Sequence, residues 1–137
     1  MKLLIILLTC KLFALEPTQI QSIASYHTQY ASTVAAISYV ESRHGANVGV
    51  NRIAKGIMQI EPKTARWIAT KDKRLRWINN CTNGQLKYVL LHNDYVNVMV
   101  GSILLEYNIK RYGYSRGIAR YNKIGNLDYL KKVKERL

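Results

Sequence analysis

The chain has 137 residues, which allows one domain with one modest core. Its 21 Lys and Arg against 8 Asp and Glu give a formal charge of +13, a balance that favours polyanionic partners such as nucleic acid, an anionic membrane face or an acidic cell-wall polymer. Two cysteines exclude a cysteine-only zinc cage, and the three histidines lack metal-ligand spacing, so neither metal nor cofactor is expected.

In chain order, the first segment is "MKLLIILLTCKLFALEP". A basic start precedes an apolar run shorter than the roughly 20 residues that span a bilayer, which is the pattern of a secretory signal. Residues 1–15 are therefore expected to be a signal peptide, cut after Ala14 or Leu15, with residues 16–137 as the working domain. Lipoprotein processing before Cys10 is the lesser alternative, because Thr9 is bulky for that junction and Lys11 follows awkwardly. Export implies a periplasmic or secreted location, leaves Cys81 without a disulfide partner, and removes most nucleic acid from consideration. No stable membrane span is expected.

The segment from Pro17 to Tyr30 reads as a first helix. Val34, Ile37 and Val40 recur at helical spacing, with Gly45 as the stop. Residues 45–56 read as a loop, in which Val48 to Ile53 suits a short hairpin arm. Pro62 suits the first turn of a helix to Ala69. "TKDKRLRW" looks irregular and "NNCTNG" looks like a turn. Asp94 to Arg111 is the longest candidate helix, with Val96, Val100, Ile103, Leu104 and Tyr107 on one face and Gly101 allowing a close helix contact. Helices are also expected over Ser115 to Asn122 and along the tail "NLDYLKKVKERL". The fold class is mostly α, a single helical domain.

Glu41 closes the apolar run "AAISYVES". Unpaired carbonyls at a helix C-terminus and apolar neighbours such as Tyr39 and Val40 both disfavour a charged carboxylate and raise its pKa. A glutamate protonated near neutral pH can act as a general acid on a glycosidic bond. From position alone, the plainer reading of a solvated glutamate that ends a helix is favoured.

The downstream residues change that balance. "YVESRHGANVGVNRIAKGIMQIEPKTA" (39–65) resembles the SLT-type lytic transglycosylases of the goose-lysozyme-like superfamily. Their pattern is Glu-Ser, a loop, then Gly-Leu-Met-Gln-Ile/Leu-x-Pro-x-Thr-Ala. Here Glu41-Ser42 is followed by Gly56-Ile57-Met58-Gln59-Ile60-Glu61-Pro62-Lys63-Thr64-Ala65. "NVMVGSILLEYN" (97–108) and "YGYSRGIARYN" (112–122) are similar to the family's later motifs, in the same order.

The resemblance implies a lysozyme-like fold and cleavage of peptidoglycan glycan strands, with Glu41 as the single catalytic acid and base. It implies that Ser42, Gln59, Tyr121 and Asn122 contact the substrate, with Tyr121 and Asn122 beside the glutamate. Gly56 would let the backbone approach a sugar, and the Gln59 amide can both donate and accept toward sugar hydroxyls. Met58 is expected in the core. Trp67 and Trp77 are expected to pack in the core or groove wall, ahead of stacking on sugars.

The chain departs from the family pattern at Val50, at Ile53-Ala54, at Glu61 and at Lys123-Ile124. Glu61 is expected to cap the following helix, although a second carboxylate would also suit hydrolysis by water. The expected activity is an exported lytic transglycosylase that cleaves the MurNAc-β-1,4-GlcNAc bond to 1,6-anhydro ends and suits service to a secretion or conjugation apparatus. The alternatives are a hydrolytic lysozyme and a catalytically weak, basic wall-binding module.

Overall fold

The computed structural model describes residues 14–48, 53–122 and 125–137. Among these it forms seven α-helices: α1 (Pro17–Ser25), α2 (Ala31–Ser42), α3 (Pro62–Ala69), α4 (Asn83–His92), α5 (Asp94–Tyr112), α6 (Tyr114–Tyr121) and α7 (Leu127–Lys134). A 3₁₀ helix, Lys73–Asn80, lies between α3 and α4. No β-strand occurs among the described residues, and the one isolated bridge pairs Lys55 with Ile60.

Side chains near the helix ends explain where several helices start and stop. Pro17 opens α1, where Glu16 and Gln19 form a capping box and the Glu16 N–H donates to Gln19 Oε1 at 2.8 Å. The expected helix to Tyr30 stops at Ser25 instead. The Tyr30 N–H donates to Thr28 Oγ1, a local bond that competes with helix continuation. The stop of α2 also falls earlier than Gly45. Arg43 and His44 are both left-handed, with φ of 51° and 58°, and the His44 N–H closes on Ser38 O at 3.1 Å.

The segment read as irregular is the 3₁₀ helix. Asp72 accepts from the Arg74 N–H at its start, and Leu75 and Ile78 point inward at the three-residue spacing of that helix. The turn expected at "NNCTNG" continues directly into α4. Thr82 and Gln85 form a capping box there, a signal that the apolar pattern alone did not carry.

Helix α5 is the axis of the domain and packs against α1, α2, α3, α4 and α6. The expected single apolar face is too narrow, because buried residues from Asn97 to Ile109 surround the whole helix. Such a helix is hydrophobic all round because it is enclosed all round. Gly117 of α6 lies so close that a Cβ there would be 2.6 Å from the Ile109 backbone.

The turn 55–60 is fixed from inside the domain. Lys55 and Ile60 exchange two backbone bonds of 2.9 Å across it. Asn97, fully buried on α5, accepts from the Met58 N–H at 2.7 Å. Its amide donates to Lys55 O and Leu90 O, each at 2.8 Å. Gly56, with φ of 73°, serves this contact rather than a sugar, since a Cβ would fall 2.3 Å from both Asn97 Nδ2 and Leu90 O. Gly101 makes room for Met58, not for another helix: a Cβ would be 3.0 Å from the methionine side chain. Met58 is fully buried, as expected. Residues 49–52, which hold Val50 and most of the expected hairpin arm, lie outside the described residues, as do Lys123 and Ile124.

Replacing Asn97 by leucine keeps the volume but orphans the Met58 N–H and the Leu90 carbonyl, while Lys55 O keeps its bond from the Ile60 N–H. Each buried unsatisfied group costs about 1–3 kcal/mol, so Asn97→Leu should lose roughly 2 kcal/mol or more. Urea unfolding measures this, and a loss below about 0.5 kcal/mol would show that the turn is held by other means.

Candidate active site

Glu41 lies on the last turn of α2 and faces a groove of about 520 Å³. Gln59, Glu61, Trp67, Tyr112, Arg120 and Asn122 are among its lining residues. The groove is walled by α3, α5 and α6 and floored by the turn 55–60.

Two opposing effects act on the Glu41 carboxyl. Burial is the larger and raises its pKa above the ordinary glutamate value. Hydrogen bonds from Tyr129 and Asn122 favour the charged form and pull the other way. The Tyr129 hydroxyl donates to Glu41 Oε1 at 2.7 Å. Burial, and then the nearby Glu41 charge, push the Tyr129 phenol far above its usual range, so it remains a donor.

The residues expected to contact substrate separate into two groups. Gln59 and Asn122 line the groove. Gln59 adopts a left-handed backbone with φ of 50°, and its Nε2 donates to Gly56 O at 2.9 Å, which orients the amide. Tyr121 borders the groove, but its hydroxyl donates to Met58 O at 2.9 Å instead of to Glu41. Ser42 is turned inward and 2% exposed: it donates to Ile57 O at 2.6 Å and accepts from the Gly45 N–H at 2.9 Å. The geometry therefore makes Ser42 a tie between α2 and the turn 55–60, because its single proton is spent on a backbone carbonyl.

Trp67 is 44% exposed in the groove wall and meets Tyr107 edge-on at 5.3 Å, while Trp77 packs against the core. On the opposite wall Arg120 stacks 4.0 Å from the centre of the Tyr112 ring. Glu61 holds the N-cap position of α3 without making a side-chain cap bond, and pairs with Lys63 at 3.5 Å. Glu61 thus stands where it was expected, at the N-terminal end of α3, whose dipole favours an acid, and the ion pair with Lys63 adds to this at the groove edge.

Tyr129 and Asn97 were not singled out by the sequence. A signal for Tyr129 existed: Tyr129 and Val133 stand four apart in a basic tail and are its two buried residues, below an Asn126 cap. For Asn97 the signal was an amide between Val96 and Val98 in an otherwise apolar helix.

The sequence pattern that defines the transglycosylase SLT domain matches residues 19–136. The chain belongs to this family. No curated protein and no solved structure matches it. The SLT domain here is a single, mostly α, lysozyme-like domain, and membership carries the family's lytic action on peptidoglycan. No described helix is long and apolar enough to cross a membrane. No cluster of metal-ligating side chains occurs among the described residues.

Two titrations test the electrostatics of this SLT domain. The folded-state pKa of Glu41 lies above its unfolded value, so the native state binds more protons through that interval and stability falls as pH rises across it. Glu41→Gln should therefore be more stable than the parent at pH 7, with the difference fading below about pH 4, under the unfolded glutamate pKa. Thermal melts across pH check this, and an equal destabilisation at every pH would contradict it. Tyr129→Phe removes a bond that favours the carboxylate, so the Glu41 pKa should rise further. The ¹³C carboxyl shift of Glu41 against pH reads this directly, and an unmoved or lowered midpoint would deny Tyr129 its tuning role.

Proposed function

We propose that the protein is an exported lytic transglycosylase that cleaves the MurNAc-β-1,4-GlcNAc bond of peptidoglycan with Glu41 as its only acid and base. The observation that carries this reading is a partly buried carboxyl of raised pKa facing a saccharide-sized groove in a chain of the SLT family. Protonated Glu41 donates to the glycosidic oxygen as the C1–O bond breaks, and the GlcNAc 4-hydroxyl leaves. The resulting carboxylate takes the proton of the muramoyl 6-hydroxyl, whose oxygen bonds to C1. A 1,6-anhydro end forms, no water is consumed, and Glu41 is protonated again. One carboxyl suffices because the proton that it gives returns from within the substrate.

Tyr129 and Asn122 support the second half of this cycle by stabilising the carboxylate once the proton has left. Gln59, Trp67 and Asn122 supply amides and an apolar ring face to hold sugar units. Residues 1–15 act as the signal peptide in this reading, and the periplasm or cell exterior is the place of action. The partner beyond glycan strands is a secretion or conjugation apparatus, which needs a local opening of the wall.

Glu61 favours a second reading. It is a further carboxylate on the groove, and a water placed by it would give hydrolysis and reducing ends. Mass analysis of digested peptidoglycan separates the two: 1,6-anhydromuramoyl ends are expected, and reducing ends alone would replace the transglycosylase with a lysozyme. Glu41→Gln should lose at least the 10²–10⁴-fold typical of general acid–base catalysis. Full activity in that variant would end the single-acid reading, and no activity in the parent would leave only a basic wall-binding module.

A further inference from the structure

A second cavity, of about 270 Å³, opens on the other flank of Glu41, which is the one described lining residue that it shares with the groove. Its character is different. Where the groove carries Trp67 and Tyr112, this cavity is edged by Arg43, Lys132 and Arg136, with Asn47 and Glu135 beside them. The three cations come from two places in the fold. Arg43 is set by the left-handed end of α2, Lys132 lies on the last turn of α7, and Arg136 follows two residues beyond that helix.

Two of the cations are held by one ring. The Arg136 guanidinium lies 3.7 Å from the centre of Tyr39, and the Arg43 guanidinium lies 5.7 Å from it. Arg43 also donates to the Tyr39 hydroxyl at 3.4 Å. None of the three cations takes part in the ion pairs found among the described residues, which use Lys63, Arg74 and Lys110. Two carboxyls oppose them, Glu41 and Glu135. Glu41 is neutral when poised to donate its proton, so the cavity is net positive at the start of a turnover.

The glycan rings themselves are neutral. On the substrate proposed above, negative charge is carried by the free carboxylates of the peptide amide-linked to the lactyl branch of the muramoyl ring, or by the lactyl carboxylate itself where that peptide has been removed. That branch springs from the ring whose C1 reacts, so it must lie close to Glu41. We propose that the cavity edged by Arg43, Lys132 and Arg136 is an anion subsite that binds a carboxylate of the muramoyl side branch. It holds the branch while the groove holds the sugars, so a branched strand is positioned at the acid better than a chain of neutral sugars. The inference rests on the muramoyl substrate of the previous subsection, and it concerns recognition rather than the chemical step.

Binding to the inactive Glu41→Gln protein separates the two, because it needs no turnover. Three soluble glycan oligomers are compared: one bearing stem peptides, the same oligomer with its carboxyl groups amidated, and one stripped of peptides by an amidase so that only lactyl carboxylates remain. Exposed ion pairs are worth about 0.2–1 kcal/mol each, so an amidation that removes two of them should weaken binding roughly 2- to 30-fold. Tight binding of the stripped oligomer shows that the subsite also accepts a lactyl carboxylate freed of its peptide, and weak binding restricts it to the carboxylates of the peptide.

Adding Arg43→Gln and Lys132→Gln should abolish the preference, whereas Lys71→Gln with Lys87→Gln, remote exposed changes, should keep it. Melting temperatures check folding, and the single substitutions replace a double that does not fold. Equal binding of native and amidated oligomers would overturn the subsite, as would a preference that survives loss of Arg43 and Lys132. Loss of the preference in the remote pair would overturn it too, by assigning the effect to overall charge. Product analysis of the parent enzyme judges the reaction independently.

Discussion

The backbone of Met58 is gripped from two sides, and the groove depends on that grip. Asn97 of α5 accepts a hydrogen bond from its N–H, Tyr121 of α6 donates one to its carbonyl, and its side chain fills the space left by Gly101. Both peptide groups are therefore satisfied inside the core, where an orphaned one would be costly. The next residue, Gln59, is held in a left-handed conformation that costs of order 1–3 kcal/mol for a residue with a side chain. Strain of that size survives only where neighbours over-determine the geometry, and here they place an amide in the groove wall. Ser42 extends the same logic to the acid, since its bond to Ile57 O ties the end of α2 to this turn.

Contiguity decided what could be read from the sequence. The helix following Pro62, the long central helix and the run from Gly56 to Ala65 each announce themselves within a short window. Glu41 also draws notice as a candidate once the motif beside it is seen. Residues that act across the fold do not. Asn97 reaches Met58 over 39 residues, and Tyr129 reaches Glu41 over 88. Nothing local distinguishes such a tyrosine from a packing residue, and Tyr121, which stands in the motif, was the natural choice for its place. The same limit explains Gly56 and Ser42: the motif marks them, but only the packed structure shows that the demand for them comes from the interior.

The acid is balanced rather than simply buried. Burial alone would keep Glu41 protonated and make it a poor base. Donors alone would keep it charged and make it a poor acid. One hydroxyl and one amide work against partial burial, which remains the larger effect, and the proposed role of giving and then recovering a proton draws on both.

The 88-residue gap between Glu41 and Tyr129 also has a temporal meaning. The ribosome makes the acid early and its hydroxyl partner late, with the whole central helix between them. Any nascent chain that ends short of Tyr129 carries an untuned carboxyl and lacks the helix that covers it. The contact between Tyr129 and Glu41 is thus assembled last, by docking of α7 onto α2 and α6, long after Glu41 itself is made.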